Sequence, residues 1–371
     1  MSPTTYRKKR RRKIKYKNVA LALAVLLIII LLFVWIFSPK DKDDEDKPET
    51  PLNTGDIVYD EPPVEEDDGE VQLTTDPTLQ SSYYFTYITL GEEDLGKGEL
   101  VLVNNNIEFT GTVNEDDLLV IREHKNKSYS VKDYSVKVLP EVMEALNNMM
   151  LSFYTEKQND NVMVISGHRT IEYQQGLYDK ELEETGQLSS SLVAKAGYSE
   201  HHTGYVVDFS VYDDGAYDDF DGTGDYAWIN ENCYKFGFIN RYPAGKEKLT
   251  LIDNEPWHFR YVGPLHAKII TDYDYCLEEY ISFLKNYTIE TGFLAATGLD
   301  GSSYIIYFVP KSNAETTAVY LPLMPNSETP YPYTISGNNV DGWIVTVKLS
   351  EGTLDNTVTP EAGDETADVA E

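Results

Sequence analysis

Cysteine is nearly absent, with two in 371 residues, Cys233 and Cys276. That excludes a disulfide scaffold or a Cys-rich zinc module. Each fits a core position of a helix, Ile229/Cys233/Phe236 and Tyr273/Cys276/Tyr280. Two buried free thiols are therefore expected, with a single bridge left open. Basic charge is scarce beyond residue 37. Nine of the 31 Lys and Arg precede that point, with no acid among them, leaving 22 against 62 Asp and Glu, about −40, for the remainder. A surface that acidic repels phosphate backbones, so nucleic-acid binding is excluded. No internal repeat is found, and a repeat architecture is not expected.

Long apolar runs are also lacking, with one exception. Arg7 to Lys17 is a dense basic block, and Val19 to Phe37 is unbroken apolar sequence. Nineteen helical residues at ~1.5 Å each span ~28 Å, close to the ~30 Å hydrocarbon core of a bilayer. The basic flank keeps the N-terminus cytoplasmic, and Trp35 suits the outer interface. A cleaved signal peptide has an apolar region of roughly 7–15 residues and a small-residue cleavage site. Here the run is longer and continues into Ser38-Pro39-Lys40-Asp41. The expectation is an uncleaved single-pass anchor with everything after Phe37 extracytoplasmic.

Six segments follow: a cytoplasmic basic stretch (1–18), the transmembrane anchor (19–37), an acidic linker (38–80), a catalytic unit (81–287), a β-rich extension (288–350) and an acidic disordered tail (351–371). The linker is rich in Asp, Glu, Pro and Thr, a composition that stays extended. In the catalytic unit Leu100–Val103 and Leu118–Ile121 read as short β runs. Pro140 opens a helix whose face is Val142, Leu146, Met149 and Phe153. Val162–Ile165 is a buried strand, and Ser166-Gly167-His168-Arg169-Thr170 turns from it into a helix ending at Gly186. From Tyr205 to Val211 apolar residues alternate with Val206, Asp208 and Ser210, a strand with two distinct faces. Residues 225–236 read as helical, Trp257–Val262 as a strand, and Pro264 to about Tyr287 as one helix. Beyond that the pattern is β only, with Gly337-Asn338-Asn339 as a turn.

The chemistry concentrates in two places, Ser199 to Asp208 and Glu255-Pro256-Trp257-His258. A catalytic zinc takes three N/O protein ligands and keeps one position for water. His201, Asp208 and His258 can supply the three. His201 lies seven residues before Asp208, an odd offset that places it on the opposite face of a straight strand, and Thr203-Gly204 offers the break in regularity that lets His201 turn back. Glu255, across Pro256 from His258, is free to stand beside a metal without ligating it, which suits metal-assisted hydrolysis. A Ser-His-Asp hydrolase built on Ser199, His201 and Asp208 is rejected. The first two are only two residues apart, no G-x-S-x-G elbow exists, and the Glu255–His258 motif would be idle.

These segments resemble the vancomycin-resistance-type (VanY-like) zinc D-alanyl-D-alanine carboxypeptidases, related in fold to the Hedgehog signalling domain. The shared pattern is Ser166-Gly167-His168-Arg169-Thr170, Tyr173-Gln174 with Leu177-Tyr178, Ser199 through Asp208, and Glu255 through His258, in order across about 138–285. Phe238 to Pro243 is also similar. The resemblance implies an α+β unit with a mainly antiparallel sheet and flanking helices, here preceded by the transmembrane helix and followed by a small β appendage. It implies Zn2+ held by His201, Asp208 and His258, Glu255 as catalytic base, and Arg169 on the substrate carbonyl or developing oxyanion. Ser199, Trp257 and Gln174 would contact substrate. Val206 replaces a usually small Ala, which bears on substrate length. His202 stands where Gln is common and is expected behind the site rather than as a fourth ligand.

The expected activity is removal of the terminal D-alanine from peptidoglycan stem peptides by a membrane-anchored monomer. An L,D-carboxypeptidase acting on tetrapeptide stems shares all of these motifs. A catalytically silent wall-binding module would have no use for Glu255 as a base.

Overall fold

The computed structural model describes residues 83–352 and the short strand Thr74–Thr75. The anchor expected at 19–37, most of the linker and the tail beyond 352 lie outside the described residues. Among the described residues no helix is long and apolar enough to cross a membrane. They belong to one compact unit, Pro62–Glu371.

A six-stranded sheet carries the polar motifs. Its path runs Ser130–Val131, Val162–Ser166, Val206–Asp213, Glu255–Tyr261 and Phe238–Tyr242, with Ala216–Asp219 paired to Val206–Asp213 as a hairpin. Only the first pairing is parallel. The amphipathic spacing after Pro140 gives the helix Pro140–Lys157, with Val142, Leu146, Met149 and Phe153 all buried. They pack on Val164, Val207, Phe209 and Phe259 of the sheet. Burying four such side chains contributes roughly 1.5–3 kcal/mol each.

A second core joins this sheet to the C-terminal strands. The helices Pro264–Asp272 and Leu277–Leu284 bury Leu265, Ile269, Tyr280 and Leu284 together with Ile239 of the first sheet and Ile306 and Ile344 of another. That other sheet has five strands in the order Thr74–Thr75, Leu294–Thr297, Ser303–Pro310, Gly342–Ser350 and Tyr333–Gly337. A two-stranded ladder, Phe85–Gly91 with Thr316–Pro322, packs Val319 and Leu321 against its Ile305, Tyr307 and Val345. The β-rich stretch after 287 is thus knitted to the residues around 85–102, not hung on the end.

Three local expectations are corrected. Leu100–Val103 is buried but forms no strand; the Val101 carbonyl accepts from Arg260 Nη2 at 2.8 Å instead of from a neighbouring strand. The single helix from Pro264 is two, because the chain turns at Asp274, whose φ of 50° is left-handed. Asp tolerates that conformation better than most residues. Cys276 consequently caps the second helix instead of lying within one. Both cysteines are free and buried.

Candidate metal centre and active site

The turn that the offset between His201 and Asp208 pointed to is a 3-10 turn, Glu200–Thr203, closed by Gly204 at φ 76°. Ser199 caps it, its Oγ accepting from the His201 N–H at 3.4 Å. The chain then enters Val206–Asp213 with His201 folded back over Asp208, and His201 Nε2 lies 3.1 Å from Asp208 Oδ2. His258 arrives from the adjacent strand as the direct register partner of Asp208, its Nδ1 3.1 Å from Asp208 Oδ1. In a regular strand Glu255 and His258 would face opposite sides. The register shifts between Glu255 and Phe259, and this bulge brings Glu255 Oε2 to 3.5 Å from His258 Nδ1.

Arg169 comes from the turn after Val162–Ser166. Gly167 is needed there, since a Cβ would meet the Lys137 carbonyl oxygen at 2.3 Å. The guanidinium is held on three sides: Nη2 donates to Asp208 Oδ2 at 2.6 Å, Nε to Ser166 Oγ at 2.8 Å, and Nη1 to Gln174 Oε1 at 3.3 Å. Gln174 also donates to the Ala194 carbonyl at 2.7 Å, so its amide ties Arg169 to the loop at the cleft rim. His202 is buried and neutral in role: Nδ1 faces the Arg169 carbonyl at 2.8 Å, and Nε2 accepts from the Gly197 N–H at 3.1 Å. A cleft of about 310 Å3 opens above these groups, lined among others by Arg169, Ser199, Glu255, Trp257 and Leu177.

One nitrogen or oxygen each from His201, Asp208 and His258 fall within 4.8 Å of one another, all three residues buried. Two features suit a cation there. Asp208 Oδ1 is buried with no hydrogen-bond partner among the described residues. His201 Nδ1 lies 2.6 Å from the Gly167 carbonyl, which makes it the protonated nitrogen and leaves the Nε2 lone pair directed at Asp208. A two-nitrogen, one-oxygen donor set matches zinc chemistry. Electrostatics agree. Burial, with Arg169 adding to it, holds the His201 imidazole down to about 4 and hence neutral. Burial opposes ionisation of Asp208, yet His201, His258 and Arg169 hold its carboxyl well below the usual range. Burial chiefly, and the charge of Asp208, push Glu255 up to about 7.

Sequence reasoning missed what lies behind His258. Glu200 is fully buried, with Oε1 accepting from Arg241 Nε at 2.8 Å and Arg260 Nη1 at 2.7 Å. Arg241 and Arg260, close to the apolar Ile239 and Phe259 in the stretches Phe238–Tyr242 and Trp257–Val262, were the available signal, because an arginine drawn into a buried strand needs a paired carboxylate.

Comparison with known proteins agrees with this geometry. A family model described as "VanY: D-alanyl-D-alanine carboxypeptidase" matches residues 135–264. A D-alanyl-D-alanine carboxypeptidase of Enterococcus faecium is 30% identical over 261 residues, covering 70% of this chain and 78% of that protein. The chain belongs to the VanY family. The bifunctional D-Ala-D-Ala dipeptidase and D-Ala-D-Ala carboxypeptidase VanXYC of Enterococcus gallinarum is 33% identical over 157 residues, 41% of this chain and 81% of that one. Among solved structures, the vancomycin resistance D,D-dipeptidase VanXYg in complex with a D-Ala-D-Ala phosphinate analogue superposes with a TM-score of 0.61 at 28% identity, covering 71% of this chain and 99% of that one. The VanY match includes every residue of the metal cluster, Arg169 and Glu255.

Proposed function

We propose that this VanY-family enzyme is a zinc-dependent D,D-carboxypeptidase that removes the terminal D-alanine of peptidoglycan stem peptides. The carrying observation is the convergence of His201, Asp208 and His258 at the floor of an open cleft, beside a second acid, Glu255, which stays outside the cluster. When bound, zinc would make water acidic enough to attack at neutral pH and would polarise the scissile carbonyl. Glu255, with its affinity for a proton near neutrality, is matched to take the proton of the attacking water and return it to the leaving amine. Arg169 is locked by three partners, so its outward N–H groups meet the carbonyl oxygen without reorganising. Ser199 and Trp257 line the cleft where the terminal residue would lie. Gln174 acts on substrate through Arg169.

The reading extends to location. The apolar run 19–37, flanked by the basic block, would hold the enzyme at the outer membrane surface, and the acidic linker would let it reach the wall. A monomer suffices, since every site residue comes from one chain.

The test is cleavage of pentapeptide and tetrapeptide stems by the purified chain, followed by mass spectrometry with and without a zinc chelator. Chelator-sensitive loss of one alanine from the pentapeptide is expected. Loss from the tetrapeptide alone would give L,D-specificity, and no cleavage of either would refute the peptidase reading.

A further inference from the structure

We infer that Glu200 is a positioning residue for His258, fixing which ring nitrogen is presented to the metal, and that Arg241 and Arg260 hold it in that role. The inference rests on the metal site proposed above. Glu200 Oε2 and His258 Nε2 face each other at 3.5 Å. Both atoms are buried, and neither has a hydrogen-bond partner among the described residues. The separation is long for a hydrogen bond, and a shift of roughly half an ångström closes one. The other oxygen of Glu200 is fully committed to the two guanidinium groups. On the far side of His258, Nδ1 points to Asp208 Oδ1 and Glu255 Oε2.

A histidine binds a metal through a lone pair, and the acceptor at its other nitrogen decides where the proton stays. For His201 that acceptor is the Gly167 carbonyl. For His258 it is a carboxylate, which keeps the proton on Nε2 and leaves Nδ1 for the metal. The rest of the cluster holds this carboxylate still. Arg241 grips Glu278 with both terminal nitrogens, at 2.9 and 2.7 Å. Arg260 Nη2 donates to the carbonyls of Glu99 and Val101 at 2.9 and 2.8 Å, and its Nε to that of Tyr261 at 3.1 Å. Asn104 Nδ2 completes Glu278 at 3.1 Å. Two acids and two arginines balance in charge, and both arginines are completely buried. Such networks seldom stabilise a fold more than apolar packing would, so stability alone is a poor reason for this one. Its single unsatisfied end is the oxygen that faces His258.

The decisive variant is Glu200→Gln in the full chain. Because the Oε1 position accepts from two arginines, the amide oxygen must remain there. The NH2 then faces His258 Nε2 as a donor, which transfers the ring proton to Nδ1. Zinc affinity, measured by competition with a chromogenic chelator, is expected to fall about 10–100-fold. In long-range 1H–15N spectra at a zinc concentration that saturates the wild type, the His258 Nε2–H signal is expected to be lost, because a ring protonated at Nδ1 no longer ligates through that nitrogen. Glu278→Gln loosens the outer brace but leaves the Glu200–His258 contact, so it should lower thermal stability while keeping both zinc affinity and that signal. Unchanged affinity and an unchanged signal in Glu200→Gln would overturn the role of Glu200. If that variant does not fold, the zinc-loaded wild type decides, since a His258 protonated at Nδ1 overturns the inference and one protonated at Nε2 supports it. A wild type that binds no zinc would overturn the metal reading itself and this inference with it.

Discussion

His258 and His266 lie eight residues apart, are equally buried, and have been given opposite charge preferences. His258 sits among three carboxylates: Asp208, Glu200 and Glu255. Burial would depress its pKa, yet the neighbouring carboxylates of Asp208 and Glu200 push it up to about 9. His266 belongs to the helix-and-strand core, where its neighbours are hydroxyls, Tyr280 OH at 2.7 Å and Thr346 Oγ1 at 3.0 Å. Burial there is unopposed and holds it down to about 4. Desolvation of an imidazole is similar in both places, so the partners decide. The sheet region concentrates negative charge that only a cation can satisfy, whereas the C-terminal core keeps its one buried histidine neutral.

The sharpest way to break this contrast is to delete each ring in turn. His258→Ala is expected to lose zinc and turnover together. His266→Ala should keep both while losing about 3 kcal/mol of stability, because it opens a cavity and strands two buried hydroxyls. Metal analysis beside a urea titration reads both outcomes, and zinc loss from both variants would erase the distinction. Next in size, Glu255→Ala removes a carboxyl that lies within the same charged cluster without being a ligand. Turnover should fall about 10²–10⁴-fold with zinc content unchanged. A proportional loss of zinc would instead make Glu255 a ligand.

Acid separates the two regions more finely. The folded pKa of His266 lies below its unfolded value of about 6.5, so the unfolded chain binds the extra proton. Its contribution is therefore complete above pH 6.5 and is lost as pH falls toward 4, by about 3 kcal/mol in all. The carboxylates Asp208 and Glu200 are depressed, so their contributions are lost only at more acid pH. The difference in unfolding free energy between wild type and His266→Gln should thus shrink between pH 6.5 and 4. A difference that is flat with pH would show that His266 is already charged or solvated.

What the sequence discloses divides along the same line. His201, Asp208, Glu255 and His258 are legible because each falls in a short stretch where residue type and offset constrain geometry. The seven-residue offset pointed to a break at Thr203-Gly204, and the structure has a 3-10 turn ending there. The Glu200 network is not legible in that way, since its partners stand 37, 41 and 60 residues apart and only the folded sheet brings them together. Periodicity found the Pro140 helix because one face is continuously apolar. It overran at Asp274, where neither glycine nor proline marks the break, and at Leu100–Val103, where apolar sequence is buried without a strand partner.

The smallest expected effect compares two glycines, one beside the metal centre and one at an exposed helix end. Gly204 at φ 76° and Gly186 at φ 68° are both left-handed, and alanine at either costs roughly 1–2 kcal/mol for backbone alone. At Gly186 a Cβ would meet nothing within 4 Å, whereas at Gly204 it would lie 3.1 Å from Leu139 Cγ and 3.3 Å from Leu118 Cδ2. Gly204 also separates the turn bearing Glu200 and His201 from the strand bearing Asp208, so pressure there is transmitted to the ligands. Gly186→Ala should lower stability without touching zinc affinity, and Gly204→Ala should lower both, the affinity by only a few-fold. Equal stability losses with zinc affinity untouched in both would mean that the 3-10 turn tolerates the added methyl without moving His201, and that the metal geometry is held by the hydrogen bond to Gly167 rather than by the turn.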